Sequence, residues 1–326
     1  MSTPSGEFAA VVREHFPEGL TGIISIGGTR TSYILEHDSG DPPGKIADPA
    51  EYARFTRAGY VNLARMFFEL GGQNLIMPVL SYQSFYERGQ EYADRFARLV
   101  MWLIDDGFQR FYREEGIDPY FAGLEPLQRL APETTGRQIA SAFTAFRQTW
   151  AYQPGRRKLI WEIAPIPPLT FWQAVQSMSD ADRHAFDQEL SGERDMEALF
   201  QKLFRFYACA AFGTEIPEPH FYLGTNRKGD LKLRAQLSLA LLPGRNVRLY
   251  YTPYPSLFTP RETLQTVLDD VIQGRGRRSR QKDYEGQMTH EMLIAERARV
   301  AALRANPHST LGLLHPGSSV EVEEED

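Results

Sequence analysis

Six short apolar runs recur along this chain, and stretches of helical period separate most of them. They read "GIISI" (22–26), "NLIMPVL" (74–80), "IDPYFAG" (117–123), "KLIWEIAPI" (158–166), "PHFYLG" (219–224) and "VRLYYTPY" (247–254). Strands that alternate with helices predict βα units and a mostly parallel sheet. The helical stretches fall at about 6–16, 49–70, 90–113, 135–150, 180–190, 196–212 and 289–304. The helix over 49–70 sets Tyr52, Phe55, Leu63, Met66, Phe67 and Leu70 on one side. Over 90–113 the inward side is Phe96, Leu99, Val100, Leu103, Phe108 and Phe111. "TPRETLQTVLDDVI" opens a further helix, with Thr259 as N-cap, Pro260 at the first helical position and Glu262 in capping-box position. "PIPP" at 165–168 breaks the pattern after the fourth strand. No repeat and no linker interrupts this order. The expectation is one α/β domain over 1–316, its central sheet flanked by helices, followed by an acidic disordered tail at 317–326.

Composition narrows the function classes. Of 326 residues, 42% are hydrophobic, enough for a sizeable core, and the net charge of −6 argues against general nucleic-acid binding. No run approaches the ~20 apolar residues of a membrane span. The opening "MSTPSGEF" lacks the basic and apolar regions of a signal peptide, so a cytoplasmic protein is expected. Cys209 is the sole cysteine; it lies in an apolar helical stretch and reads as a small core residue. The basic run "GRGRRSRQK" at 274–282 reads either as a solvated helix exit or as a positive loop near an anionic ligand. The seven histidines show no paired ligand spacing, and His220, His290 and His308 read as solvent or loop positions. The acidic pairs Asp105–Asp106 and Asp269–Asp270 read as solvated helix faces.

Ligands of open α/β sheets sit beyond the C-terminal ends of the strands. The first strand ends there in "GGTRTSY" (27–33). Glycine lets backbone N–H groups approach an anion closely, and an arginine adds a planar fork for phosphate oxygens. Thr29 adds a hydroxyl donor. No Walker A or GxGxxG pattern is present, so these residues alone allow either a phosphate site or a plain turn.

This segment resembles the Asp-Gly-x-x-Arg loop of the cis-prenyltransferases, the undecaprenyl diphosphate synthase family. The chain is more similar still to the tuberculosinol/tuberculosinyl-adenosine synthase and kolavelool synthase group of diterpene synthases, whose loop is Asp-Gly-Thr-Arg-Arg. The stretches "EYARF", "RMFFELGGQNLIMPVLS", "YERGQEYADRFARLVMWLIDD", "FYREEGIDPYFAG" and "RLYYTPYPSLFTPRETLQTVLDDVI" carry the likeness. It covers most of 23–123 and 221–286; about 132–219 is not matched. The resemblance implies a cis-prenyltransferase-like fold, a homodimer and an apolar tunnel beside the diphosphate site. It implies a diphosphate cradle of Gly27, Gly28, Thr29, Arg30 and Thr31, with Arg30, Tyr52 and Tyr92 as catalytic residues. Mg²⁺ is the cofactor that the family implies, but Gly27 replaces the loop aspartate that organises it, and Thr31 replaces the second arginine. No metal ligand is therefore assigned. Arg227, Lys228, Lys232 and Arg234 lie where the family carries a second, arginine-rich anion site.

Two readings follow. In one, the protein ionises an allylic C15–C20 prenyl diphosphate, linear or already bicyclic through a partner class II diterpene cyclase. Water, proton loss or another nucleophile then quenches the cation, and aromatic faces shelter it meanwhile. In the other, the protein is a non-catalytic prenyl-diphosphate-binding or accessory subunit of a cis-prenyltransferase.

Overall fold

A computed structural model describes residues 5–37, 46, 48–80, 100–225, 247–273 and 290–305. Six parallel strands make one sheet: β1 (Thr21–Ile24), β2 (Asn74–Pro78), β3 (Ile117–Ala122), β4 (Arg157–Glu162), β5 (Phe221–Thr225) and β6 (Arg248–Thr252). Their order across the sheet is β3-β4-β2-β1-β5-β6. All five pairings are parallel, with Ile23 beside both Ile76 and Tyr222, and Ile76 beside Ile160. The expected α/β domain with a parallel sheet is what forms.

Strand residues alternate between two cores. Ile24, Leu75, Met77, Phe121, Trp161 and Leu223 face one side. There they meet α1 (Ser5–His15), α3 (Pro49–Glu69) and, late in the chain, a helix at Arg261–Gln273. Ile23, Ile76, Ile160 and Tyr222 face the other, against Phe204, Tyr207 and Ala208 of the helix Met196–Phe212. Both faces are covered, which explains why the strands read as near-continuous apolar runs.

The helices run in chain order α1, α2 (Thr29–His37), α3, α4 (Asp106–Glu114), α5 (Glu125–Gln128), α6 (Thr135–Thr149), α7 (Pro167–Ser177), α8 (Asp180–Gly192), α9 (Met196–Phe212), α10 (Arg261–Gln273) and α11 (His290–Ala305). None among the described residues is long and apolar enough to cross a membrane.

Several sequence expectations are corrected. The prolines at 167 and 168 open α7 rather than break the pattern, because proline suits the first turn of a helix. Over the described part, the expected helix 90–113 is interrupted: a 3₁₀ turn (Met101–Ile104) ends at Asp105, which caps α4 by accepting from the Phe108 N–H at 2.8 Å. α10 starts at Arg261, one residue later than expected. Cys209 is exposed, not a core residue, because α9 buries Phe204, Tyr207, Ala208, Ala211 and Phe212 on another side. Asp270 is no solvated face: it accepts from Arg248 and from the Tyr250 hydroxyl, each at 2.5 Å. His220 is half-buried, its Nδ1 3.2 Å from the Thr21 N–H. The basic run 274–282, the tail 317–326 and His308 lie outside the described residues.

Candidate active site at the end of the first strand

β1 connects leftward to β2, whereas β4 connects to β5 on the far side of β1. The strand order therefore reverses between β1 and β5, and a crevice opens beyond their C-terminal ends. The segment 25–31 lies at that crevice.

The ends of two strands, β1 and β5, converge on Ser256, which follows β6. The Gly27 N–H donates to Ser256 Oγ at 2.9 Å, and the Ser256 N–H donates back to the Gly27 carbonyl at 3.0 Å. Ser256 Oγ also bonds Thr225 Oγ1, at the end of β5, and donates to the Ser25 carbonyl at 3.3 Å. Ser256 and Thr225 are both buried. The start of the loop is thereby clamped.

Gly28 then takes φ +76°, a left-handed conformation that glycine adopts without steric cost. That turn starts α2 at Thr29, so most of what reads as a loop is the first turn of a helix. The Ser32 N–H returns to the Gly28 carbonyl at 2.9 Å. The helical hydrogen-bond ladder thus begins at the Ser32 amide, and the positive end of the α2 dipole lies at the crevice. Arg30 is exposed on this turn. Such a terminus suits an anion such as a diphosphate.

α3 supplies the opposite wall. Asp48 caps it by accepting from the Ala50 and Glu51 amides at 2.8 and 3.1 Å. The Tyr33 hydroxyl of α2 donates to Glu51 at 2.8 Å, which fixes the two helices together; burial and the Glu51 carboxylate both push the Tyr33 pKa up. Tyr52 Oη and Thr29 Oγ1 share a hydrogen bond of 2.7 Å. Tyr52, Thr56 and Tyr60 follow at intervals of four and line one cavity of about 50 Å³. Its other walls include Val79, Val100, Trp102, Leu103 and Phe108. Burial raises the Tyr60 pKa far above the usual phenol value, so this hydroxyl stays protonated.

Arg57 closes the cavity at one side. It makes a two-pronged pair with Asp105, at 2.8 Å for each prong, and lies 5.0 Å from the Phe108 ring centre. Gly107 makes room for it: a Cβ there would stand 1.9 Å from Arg57 Nη2.

The structure therefore brings Gly27, Gly28, Thr29, Arg30, Thr31 and Tyr52 together at one end of the sheet. Tyr92, Arg227, Lys228, Lys232 and Arg234 lie outside the described residues. Sequence reasoning missed Thr56, Arg57 and Tyr60. Their signal was a threonine, an arginine and a tyrosine, four, five and eight residues beyond Tyr52 on the same helix. The expected apolar tunnel is not seen among the described residues; the cavity beside Tyr52 measures about 50 Å³. Ordinary ligand pockets measure roughly 300–1,000 Å³.

The residues at the loop do not fit a protein-held Mg²⁺. Gly27 has no side chain, and its carbonyl and amide are both taken by Ser256. Among the described residues, no group of three His, Cys, Asp or Glu side chains is placed to hold a metal ion.

No protein family and no curated protein matches the sequence. The fold does match solved structures. Lavandulyl diphosphate synthase from Lavandula x intermedia, solved in complex with dimethylallyl diphosphate, aligns with 16% identity and a TM-score of 0.50 over 78% of this chain and 95% of that one. A probable undecaprenyl diphosphate synthase from Campylobacter jejuni aligns with 12% identity and a TM-score of 0.45 over 80% and 96%. The first likeness shows the fold, which is that of the cis-prenyltransferases.

Proposed function

We propose that this protein is a prenyl diphosphate-dependent, terpene synthase-like enzyme that ionises an allylic C15–C20 diphosphate, linear or bicyclic. The observation that carries this reading is the Thr29–Tyr52 hydrogen bond. It joins an anion-attracting helix N-terminus to an aromatic cavity, the two environments that an ionising allylic diphosphate needs. The structural neighbour's complex with dimethylallyl diphosphate supports the same class of ligand.

In this reading the diphosphate sits on the Thr29–Thr31 amides with Arg30 beside it. The allylic C–O bond breaks, and its electron pair leaves with pyrophosphate. The amides and the Thr29 hydroxyl offset the charge that builds on the leaving oxygen. Tyr52, Tyr60, Trp102 and Phe108 line the cavity beside the cation, where each π face contributes roughly 0.5–2 kcal/mol. No step is assigned to Mg²⁺.

One observation favours the binding-only alternative, a prenyl-diphosphate-binding or accessory subunit of a cis-prenyltransferase. Gly27 brings no carboxylate, and its amide is already committed to Ser256. Pyrophosphate release from farnesyl, geranylgeranyl and bicyclic C20 diphosphates separates the two. Release that falls in Tyr52→Phe supports the enzyme. Saturable binding of a thio-diphosphate analogue without release from any substrate establishes the binder.

A further inference from the structure

A cavity of about 480 Å³ opens at the far edge of the sheet. Its size falls within the roughly 300–1,000 Å³ of ordinary ligand pockets. Tyr120, Thr144, Arg147, Gln148, Tyr152 and Gly213 line it. Tyr120 is on β3, the edge strand, with β4 and β2 between it and β1. No residue lines both this cavity and the one beside Tyr52. All the lining residues except Tyr120 lie in 132–219, the stretch that the sequence resemblance does not reach.

Arg147 is half-buried in the last turn of α6. A guanidinium carries five N–H donors in a planar fork that matches a carboxylate. Here it makes no ion pair among the described residues. Its contacts are the Phe121 carbonyl, at a long 3.5 Å, and the Tyr152 hydroxyl. Asp118, on the same strand as Tyr120, is committed elsewhere: to the Trp150 indole at 3.0 Å, the Gln153 amide at 2.8 Å and Arg156 at 3.7 Å. Glu125 feels the Arg147 charge but does not line the cavity. Gly213 gives Arg147 its place, since a Cβ there would stand 2.5 Å from Nη2.

Tyr120 and Tyr152 stack, with ring centres 4.8 Å apart and planes 29° from parallel. Their hydroxyls are taken by the protein. Tyr152 donates to the Pro119 carbonyl at 3.1 Å, and Tyr120 bonds Thr214. What the pair offers a guest is ring surface, and a further aromatic ring extends such a stack favourably. Burial pushes both phenols up, Tyr152 to about 12, so neither brings a negative charge to the cavity. Arg147 is the one charged residue in the lining, and it stands at the negative end of the α6 dipole. That balance suits a monoanion and disfavours a phosphate dianion.

We infer that this cavity binds a small planar aromatic acid, its carboxylate paired with the Arg147 fork and its ring stacked against the Tyr120–Tyr152 pair. The site is separate from the chemistry at the end of β1, so the inference stands whether the protein ionises its diphosphate or only binds it.

The test titrates the full-length protein with 2-naphthoate by calorimetry. Saturable binding at one site with a Kd below about 1 mM is expected. 2-Naphthamide is flat but neutral, and decahydro-2-naphthoate is charged but not aromatic. Each should bind at least about tenfold more weakly, since each lacks one of the two contacts. Arg147→Met should weaken naphthoate binding about tenfold and leave that of the amide unchanged. A naphthoate Kd above about 1 mM overturns the inference. So does equal binding of either control, or an Arg147→Met variant that holds naphthoate as wild type does. If Arg147→Met does not fold, a crystal structure with 2-naphthoate decides. Carboxylate oxygens about 3 Å from Arg147, with the ring against Tyr120 or Tyr152, are expected. Naphthoate in the cavity beside Tyr52, or anywhere else, contradicts the inference.

Discussion

Thr29 Oγ1 lies 2.7 Å from Tyr52 Oη, and this contact joins the first turn of α2 to the first turn of α3. On one side are the amides that suit an anion. On the other is the aromatic cavity. In the proposed reaction, the two hydroxyls flank the bond to the leaving group.

Tyr52→Phe removes the hydroxyl and keeps the ring. A partly buried neutral hydrogen bond contributes about 1 kcal/mol to stability, so the melting temperature should move by only a few degrees. Pyrophosphate release should fall about 10- to 100-fold, because a donor at a developing charge is worth more than in the resting fold. Thr29→Val should lose a similar factor, and the double variant little more than either alone. Multiplicative losses in steady-state assays would separate the two roles and contradict their coupling.

Ser256→Ala should destabilise the fold by about 1–3 kcal/mol, since it leaves the buried Gly27 amide and Thr225 hydroxyl without their shared partner. It should also loosen the turn that starts α2. Chemical denaturation gives the first quantity. Faster hydrogen exchange at the α2 amides than in wild type checks the second.

Arg57 and Asp105 form a pair whose members are unequal. Both side chains are partly exposed, at 31% and 40%, so the ion pair itself adds about 1 kcal/mol or less. Asp105 also caps α4, a role worth roughly 0.5–2 kcal/mol. Asp105→Ala should therefore cost more stability than Arg57→Ala, and Asp105→Asn should recover most of the difference. Equal losses on denaturation would deny the cap its share.

Glu162 gives the fold a pH dependence. It ends β4, is wholly buried, and neither carboxyl oxygen has a hydrogen-bond partner; burial pushes its pKa up to about 8. The unfolded chain ionises near the usual carboxylate value of 4.5. Below that value both states are protonated and nothing is lost. As pH rises from there to about 8, the unfolded state sheds its proton while the folded state keeps it, so stability declines by a few kcal/mol. Glu162→Gln should flatten this decline and raise the melting temperature at pH 8 while changing little near pH 4.5. Parallel wild-type and variant melting curves across that range would contradict it.

Much of this was legible in the sequence because local and global signals agree. The strand at 117–123 and the helix at 196–212 fall within a residue of expectation, since a short, mostly apolar run bounded by glycines and a clear 3.6 period define them. α2 was not legible. Its first turn, Thr-Arg-Thr-Ser, includes two β-branched residues of middling helix preference, and only the clamp of Gly27 by Ser256, distant in sequence, sets its start. Asp105 was hidden because the apolar period runs on through it. Thr56 was hidden for a different reason: a threonine within a helical stretch looks ordinary until its buried hydroxyl is seen to lack a partner.

The most direct measurement is a crystal structure with the non-ionising geranylgeranyl thio-diphosphate analogue. Phosphate oxygens should lie about 3 Å from the Thr29–Thr31 amides, with Arg30 drawn onto them and the allylic carbon beside Tyr52. A diphosphate bound elsewhere, such as the cavity of about 190 Å³ lined by Glu18, Arg205 and His220 at the opposite end of the sheet, would contradict it.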